Sequence, residues 1–125
     1  MKKVISTSNA PAAIGPYSQA IEVGNLVFLS GMLPIDPFTG NMVTGNIAIQ
    51  TEQIFKNIEA LLKQAGCSME QVVKTTVFLT DMSLFSEMNE VYARYFINDY
   101  PARSAVAVKE LPKNSQIEIE VIAMK

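Results

Sequence analysis

The chain contains no histidine. That absence excludes Ser-His and Cys-His nucleophile pairs and every His-ligated metal site, so no metal is expected. Acid–base chemistry must come from carboxylates, Lys, Tyr, Ser, Cys, backbone groups or water. A single cysteine, Cys67, excludes an intrachain disulfide and fits a reducing, cytoplasmic location. There is no G-x-G-x-x-G and no Walker-type loop, so no nucleotide cofactor is expected. The 10 Lys and Arg are scattered against 12 Asp and Glu. A nucleic-acid partner needs a basic stripe, and none is present. No apolar run approaches the roughly 18 residues of a membrane span. The start, MKKVISTSNAP, has two lysines with no apolar segment behind them, and no signal peptide is expected.

What is present describes a well-packed globule. Hydrophobic residues make up 49% of the chain and charged residues 18%, which argues against disorder. Residues 1–125 are the length of one domain. KKVIS reads as a short strand, and NAPAAIGPYSQ as an irregular, ordered loop. AIEVGNLVFLSG reads as two strands hinged at Gly24-Asn25. Residues 46–65 carry Ile47, Ile54, Ile58, Leu61, Leu62 and Ala65 on one helical face, with Asn46 as N-cap and Gly66 as the stop. A β-branched run from Val72 to Leu79 predicts a strand. A second helix is expected over 83–97, with Leu84, Met88, Val91, Tyr95 and Phe96 on its apolar face. ARSAVAVKEL and QIEIEVIAM read as the last two strands, joined by the turn PKNS. The order β-β-β-α-β-α-β-β predicts an α+β fold: a mixed sheet with two helices on one face. The positions facing the other side are not consistently polar, so that side is expected to pack against a second subunit.

Three patches place polar groups beside close backbone approach. In IGPYSQ, Tyr17 is either a core aromatic with its hydroxyl at solvent or a pocket lining. In LSGMLP, Ser30 and Gly31 end an apolar strand. They mark either a plain strand end or a place where a ligand approaches a backbone N–H. In YPARSAVAV, Arg103 is the only charge in a small apolar strand. It is either a surface charge or the waiting half of an ion pair. The last strand alternates Gln116, Glu118 and Glu120 with Ile117, Ile119 and Val121. If the last two strands are neighbours, Glu118 or Glu120 could face Arg103, but a slip of one residue would separate them.

Four stretches taken together are identified as those of the RidA/YjgF family: NAPAAIGPYSQA, LVFLSGMLPIDPFTG, VVKTTVFLTDMSLFSEMNEVYARYF and YPARSAVAVKELPKNSQIEIEVIA. They cover nearly the whole chain in order, and P-A-R-S-x-V-x-V, L-P-K and I-E-I-E are the most specific parts. The resemblance implies a chorismate-mutase-like α+β fold assembled as a homotrimer around a barrel-like core, with clefts between subunits. It implies hydrolysis of reactive 2-imino acids and their enamines, 2-iminobutanoate and 2-iminopropanoate, to 2-oxo acids and ammonia, with no cofactor. Carried onto this chain, Arg103 would clamp the substrate carboxylate and Glu118 would orient the water, leaving Glu120 structural. The Gly31 N–H and the main chain at Ala105 would hold the ligand, and Tyr17, Ser30 and Asn89 would complete the cleft.

The chain departs from many relatives at two places. Ala105 stands where they have cysteine, and Met32 where they have glutamine. Cys67 does not match the family position and reads as incidental. The rival to a deaminase is a non-catalytic trimeric module that binds 2-oxo acids or a regulatory partner. Such a module needs Arg103 but not Glu118.

Overall fold

The computed structural model describes residues 1–125. Gly24, at φ 58, turns the chain tightly between β2 (Ala20–Val23) and β3 (Leu26–Leu29), a backbone conformation that favours glycine. With β1 (Lys3–Ile5) these form an antiparallel meander. The central strands are β4 (Val72–Leu79) and β6 (Ile117–Met124), with β5 (Ala102–Ala107) at one edge. The six strands lie in the order β1-β2-β3-β6-β4-β5.

Two helices cover one face of this sheet. In α1 (Ile47–Gln64) the Asn46 side chain caps the start by accepting from the Ile49 N–H at 3.0 Å. Its predicted stripe is buried throughout, with Ile54, Ile58, Leu61 and Leu62 wholly enclosed and Phe55 beside them. Each such side chain contributes about 1.5–3 kcal/mol by leaving water. The inward residues of β6 (Ile117, Ile119, Val121, Ala123) and of β4 (Thr75, Val77, Leu79) meet this helical layer.

The second helix, α2 (Phe85–Arg94), is shorter than expected. A 3-10 turn at Met82–Leu84 precedes it, with the Ser83 N–H donating to Asp81 Oδ1 at 2.8 Å. It closes when the Tyr95 N–H donates to Tyr92 O, a tightened last turn. Met88 and Val91 are buried as predicted. The third buried residue of α2 is Tyr92, whereas Tyr95 is half-buried and stacks on Phe55 at 4.7 Å.

The last two strands are not neighbours, which corrects the expected hairpin. β5 runs parallel to β4, and β6 pairs antiparallel to β4 on its other side. Parallel neighbours need a long crossover, and α2 supplies it between β4 and β5. Residues 108–116 then cross the end of β4, where Val108 N–H donates to Leu79 O and Thr80 N–H to Gln116 O. PKNS lies in this crossing as a 3-10 turn with Lys113 and Asn114 both left-handed, at φ 56 and 55.

The face opposite the helices carries Val4, Val23, Phe28, Val106 and Met124 in the open. The uneven polarity that the alternation announced is therefore real: this side of the sheet mixes these apolar residues with Lys74, Thr76, Glu118 and Glu120 and is uncovered within one chain.

Candidate active site

A cleft of about 430 Å³ opens where the N-terminal loop folds over the ends of β3 and β6. Its lining includes Tyr17, Ser30, Gly31, Met32, Lys113 and Glu118. Gln19, buried behind it, holds the loop in place. Its Oε1 accepts from the Thr7 N–H at 2.8 Å, and its Nε2 donates to the carbonyls of Thr7, Ala10 and Pro11 at 3.1, 3.3 and 2.6 Å. On the far side, Asn57 of α1 donates to Leu33 O and Ile35 O, fixing the loop after β3. Both walls thus hang on buried side-chain amides.

Glu118 lies directly over Gly31. A Cβ built on Gly31 would stand 2.8 Å from the Glu118 Cδ and closer still to Oε2, so only glycine admits the carboxyl there. The Met32 N–H donates to Ile119 O and Ile119 N–H donates back to Met32 O, which locks this segment to β6. The Gly31 N–H has no acceptor within the chain. Burial pushes the Glu118 carboxyl above its ordinary pKa, and the like charge of Glu120 adds to the rise. Ser30 Oγ donates to Ser18 O at 2.6 Å, which engages its proton and leaves its lone pairs to the cleft. Tyr17 is half exposed along the cleft wall and is not a core residue.

Arg103 and Asn89 stand elsewhere. On the helical side of the β5 edge, Arg103 Nη1 donates to Asn89 Oδ1 at 2.7 Å. Its Cζ lies 4.6 Å from the Tyr92 ring centroid and 5.2 Å from that of Phe85. The two ion pairs in the chain, Lys56–Glu52 and Lys125–Glu22, do not involve it. Ala105, two residues on, shares this face. Val108 N–H bonds to β4, and the period-two alternation of a strand turns the N–H and C=O of Ala105 to the free edge.

The predicted residues therefore form two groups: Tyr17, Ser30, Gly31 and Glu118 in the cleft, and Asn89, Arg103 and Ala105 at the β5 edge. Sequence reasoning missed Phe85 and Tyr92. Their signal was available, since Phe85, Asn89 and Tyr92 recur at i, i+4, i+7 and so form one stripe of α2 beside the buried one. It also missed Gln19 as the strut of the loop. Met32 is buried, lines the cleft and adds to its apolar wall.

Comparison with known proteins agrees with this architecture. The family model described as Endoribonuclease L-PSP matches residues 7–125. The chain belongs to this family, also called RidA/YjgF. Among RidA/YjgF relatives, a RutC family protein of Pyrococcus horikoshii is 57% identical over 100% of this chain and 99% of its own length. The mouse 2-iminobutanoate/2-iminopropanoate deaminase is 48% identical over 100% of this chain and 93% of its own. Escherichia coli TdcF, solved with bound serine, superposes with a TM-score of 0.94 at 41% identity, covering 98% of each chain.

Proposed function

We propose that this RidA/YjgF-family chain, one domain over residues 1–125, is a deaminase of small 2-imino acids, working in a reducing cytoplasm as a homotrimer. The observation that carries the reading is the setting of Arg103. Its guanidinium is held by two aromatic rings and a neutral amide, with no carboxylate to pair it. A fixed guanidinium with free donors at an exposed strand edge suits bidentate capture of a carboxylate. The family name of the mouse relative, and the amino acid bound by the Escherichia coli one, agree with a ligand of that size and charge.

The protonated imine is already an electrophile and needs orientation and one water. Arg103 clamps the carboxylate, while the Gly31 N–H and the outer main chain at Ala105 hold the ligand, with Tyr17, Ser30 and Asn89 around it. Water adds to the imine carbon and gives a proton to Glu118, whose raised pKa makes it a stronger proton acceptor than an ordinary carboxylate. Glu118 returns that proton to the nitrogen of the carbinolamine. The C–N bond then breaks as Glu118 takes the proton of the carbinolamine hydroxyl, and a 2-oxo acid and ammonia leave.

One chain cannot place Arg103 and Glu118 on a single ligand, because they point from opposite faces of one sheet. Two copies can, if the β5 edge of one closes the cleft of the next. The uncovered face, with Phe28, Val106 and Met124, gives such an assembly a buried contact.

The test couples the protein to a threonine dehydratase and traps the imine with semicarbazide. The expected result is faster 2-oxobutanoate formation in competition with the trap. No effect at micromolar protein sinks the reading and leaves the 2-oxo-acid-binding module. A ribonuclease, which the family description names, would need an acid–base pair and a basic track. The chain has no histidine and only scattered lysines and arginines.

A further inference from the structure

The Tyr92 hydroxyl and Thr75 Oγ1 lie 2.7 Å apart, both buried, and either can donate. Thr75 is also the Cα partner of Arg103 across β4 and β5. The residue beside Arg103 in the sheet is therefore tied to a ring that packs against its guanidinium. From this geometry we propose that Tyr92, anchored by Thr75, is a positioning residue that fixes the Arg103 guanidinium before any ligand arrives. The proposal rests on the reading of Arg103 as the carboxylate clamp.

The physical need is clear. An arginine side chain has about 2 kcal/mol of rotamer entropy to lose on being ordered. A partner carboxylate would order it but would also neutralise it. Here the ordering groups are all uncharged: Phe85, Asn89 and Tyr92, from a single stripe of α2. They hold the cation and leave its charge unmet. Of the three, Tyr92 alone is buried. A phenylalanine there would offer the same ring face without the tie to β4. The hydroxyl sets the depth and tilt of the ring against β4, the strand paired with the one that carries the arginine.

The test uses the intact chain with four substitutions. Tyr92→Phe keeps the ring and removes the hydroxyl bond. Thr75→Val removes that bond from its other end, Thr75→Ser keeps it, and Tyr92→Leu removes the ring. Binding of 2-oxobutanoate, followed by titration calorimetry, is expected to weaken about threefold to tenfold in Tyr92→Phe and Thr75→Val. It weakens further in Tyr92→Leu and stays at the wild-type value in Thr75→Ser. In turnover of the imine, KM rises by the same factor with kcat nearly unchanged, the mark of lost uniform binding. Tyr92→Phe combined with Thr75→Val is no worse than either alone, because both remove one bond.

A second readout needs neither ligand nor turnover. The ¹⁵N signals of the Arg103 guanidinium report its rotation, which is hindered in the free wild type and faster in Tyr92→Phe and Thr75→Val. If the wild type fails to act on imines, the deaminase reading falls and these signals still test the positioning of Arg103. Unchanged Arg103 signals in folded Tyr92→Phe and Thr75→Val overturn the proposal. So does unchanged oxo-acid affinity in these variants and in Tyr92→Leu when the wild type binds.

Discussion

Arg103 and Glu118 are registered to the same strand, β4, from its two sides, and they face away from each other. Arg103 is the partner of Thr75 and Glu118 the partner of Phe78. Three residues separate those rows, and an odd step along a strand reverses the face. Contacts agree, since Arg103 meets α2 while Glu118 lines the cleft opposite the helices. An active centre that uses both must therefore draw them from different copies of the chain.

That requirement predicts rescue by mixing. Arg103→Ala and Glu118→Gln are each expected to abolish or strongly reduce deamination, by about 10²-fold to 10⁴-fold for the glutamate. Refolding the two inactive variants together creates interfaces that pair an intact Arg103 with an intact Glu118. With equal amounts and random assembly, about a quarter of the clefts in cyclic oligomers recover both groups. The coupled assay should read about that fraction of wild-type activity. A mixture as inactive as its components would show that each chain supplies its own pair.

The raised pKa of Glu118 predicts two pH effects. As proton acceptor it must be ionised, so kcat/KM should rise with pH through the raised value. Glu120→Gln removes the neighbouring like charge and should shift that acid limb to lower pH. The stability effect has the opposite sense. The folded carboxyl holds its proton more tightly than the unfolded one, so its contribution is present below the unfolded pKa and is lost as pH rises through the folded one. Glu118→Gln should therefore raise the melting temperature relative to wild type at about pH 8 and lose that advantage at about pH 4. A Glu118→Gln variant less stable at the higher pH would contradict the burial of a charge there.

Most of the fold was legible because its elements are strongly periodic. The α1 stripe from Ile47 to Ala65, the Asn46 cap and the hairpin at Gly24 all follow from local chemistry. The pairing of β5 was not legible. Chain order made β5 and β6 look like a hairpin, while β4 is neighbour to both, with α2 as the long crossover that a parallel β4–β5 pair needs. Alternation correctly marked Glu118 as facing away from Ile117 and Ile119. Whether Arg103 shared its side depended on register, which a strand of Ala, Ser and Val does not specify. Tyr92 escaped notice because a neighbouring stripe, Leu84–Met88–Val91–Tyr95, fits the helical period equally well. Gln19 escaped because a buried amide is recognised by the carbonyls it satisfies, and those are set by the path of the loop.

Gln19→Leu tests that strut. The substitution removes an acceptor for the Thr7 N–H and a donor shared by three carbonyls. Leaving such groups unmet in a buried setting costs about 1–3 kcal/mol. Urea unfolding should show a loss of that size. Limited proteolysis should cut within residues 8–17 well before the rest of the chain, because the loop loses its hold on β2. KM for the imine should rise, since Tyr17 belongs to the released wall. A variant with wild-type resistance to proteolysis would place the anchor of the loop elsewhere.

Gly31→Ala is the sharpest test of the cleft. The new methyl would meet the carboxyl end of Glu118, with its Cδ at 2.8 Å. That end is flexible and the cleft is open, so relief comes by swinging the carboxyl outward while the fold stays intact. Stability should therefore change little, whereas the water loses its acceptor. Turnover should fall by about 10²-fold or more, close to the effect of Glu118→Gln. Because both changes disable one group, the double variant should be no slower than the worse single one. Multiplying losses in the double variant would mean that the new methyl also acts independently of Glu118, by keeping the ligand from the residue-31 N–H. Ligand titration separates the cases: displacement of Glu118 alone spares 2-oxobutanoate affinity, and a methyl that blocks the ligand's approach to the residue-31 N–H weakens it.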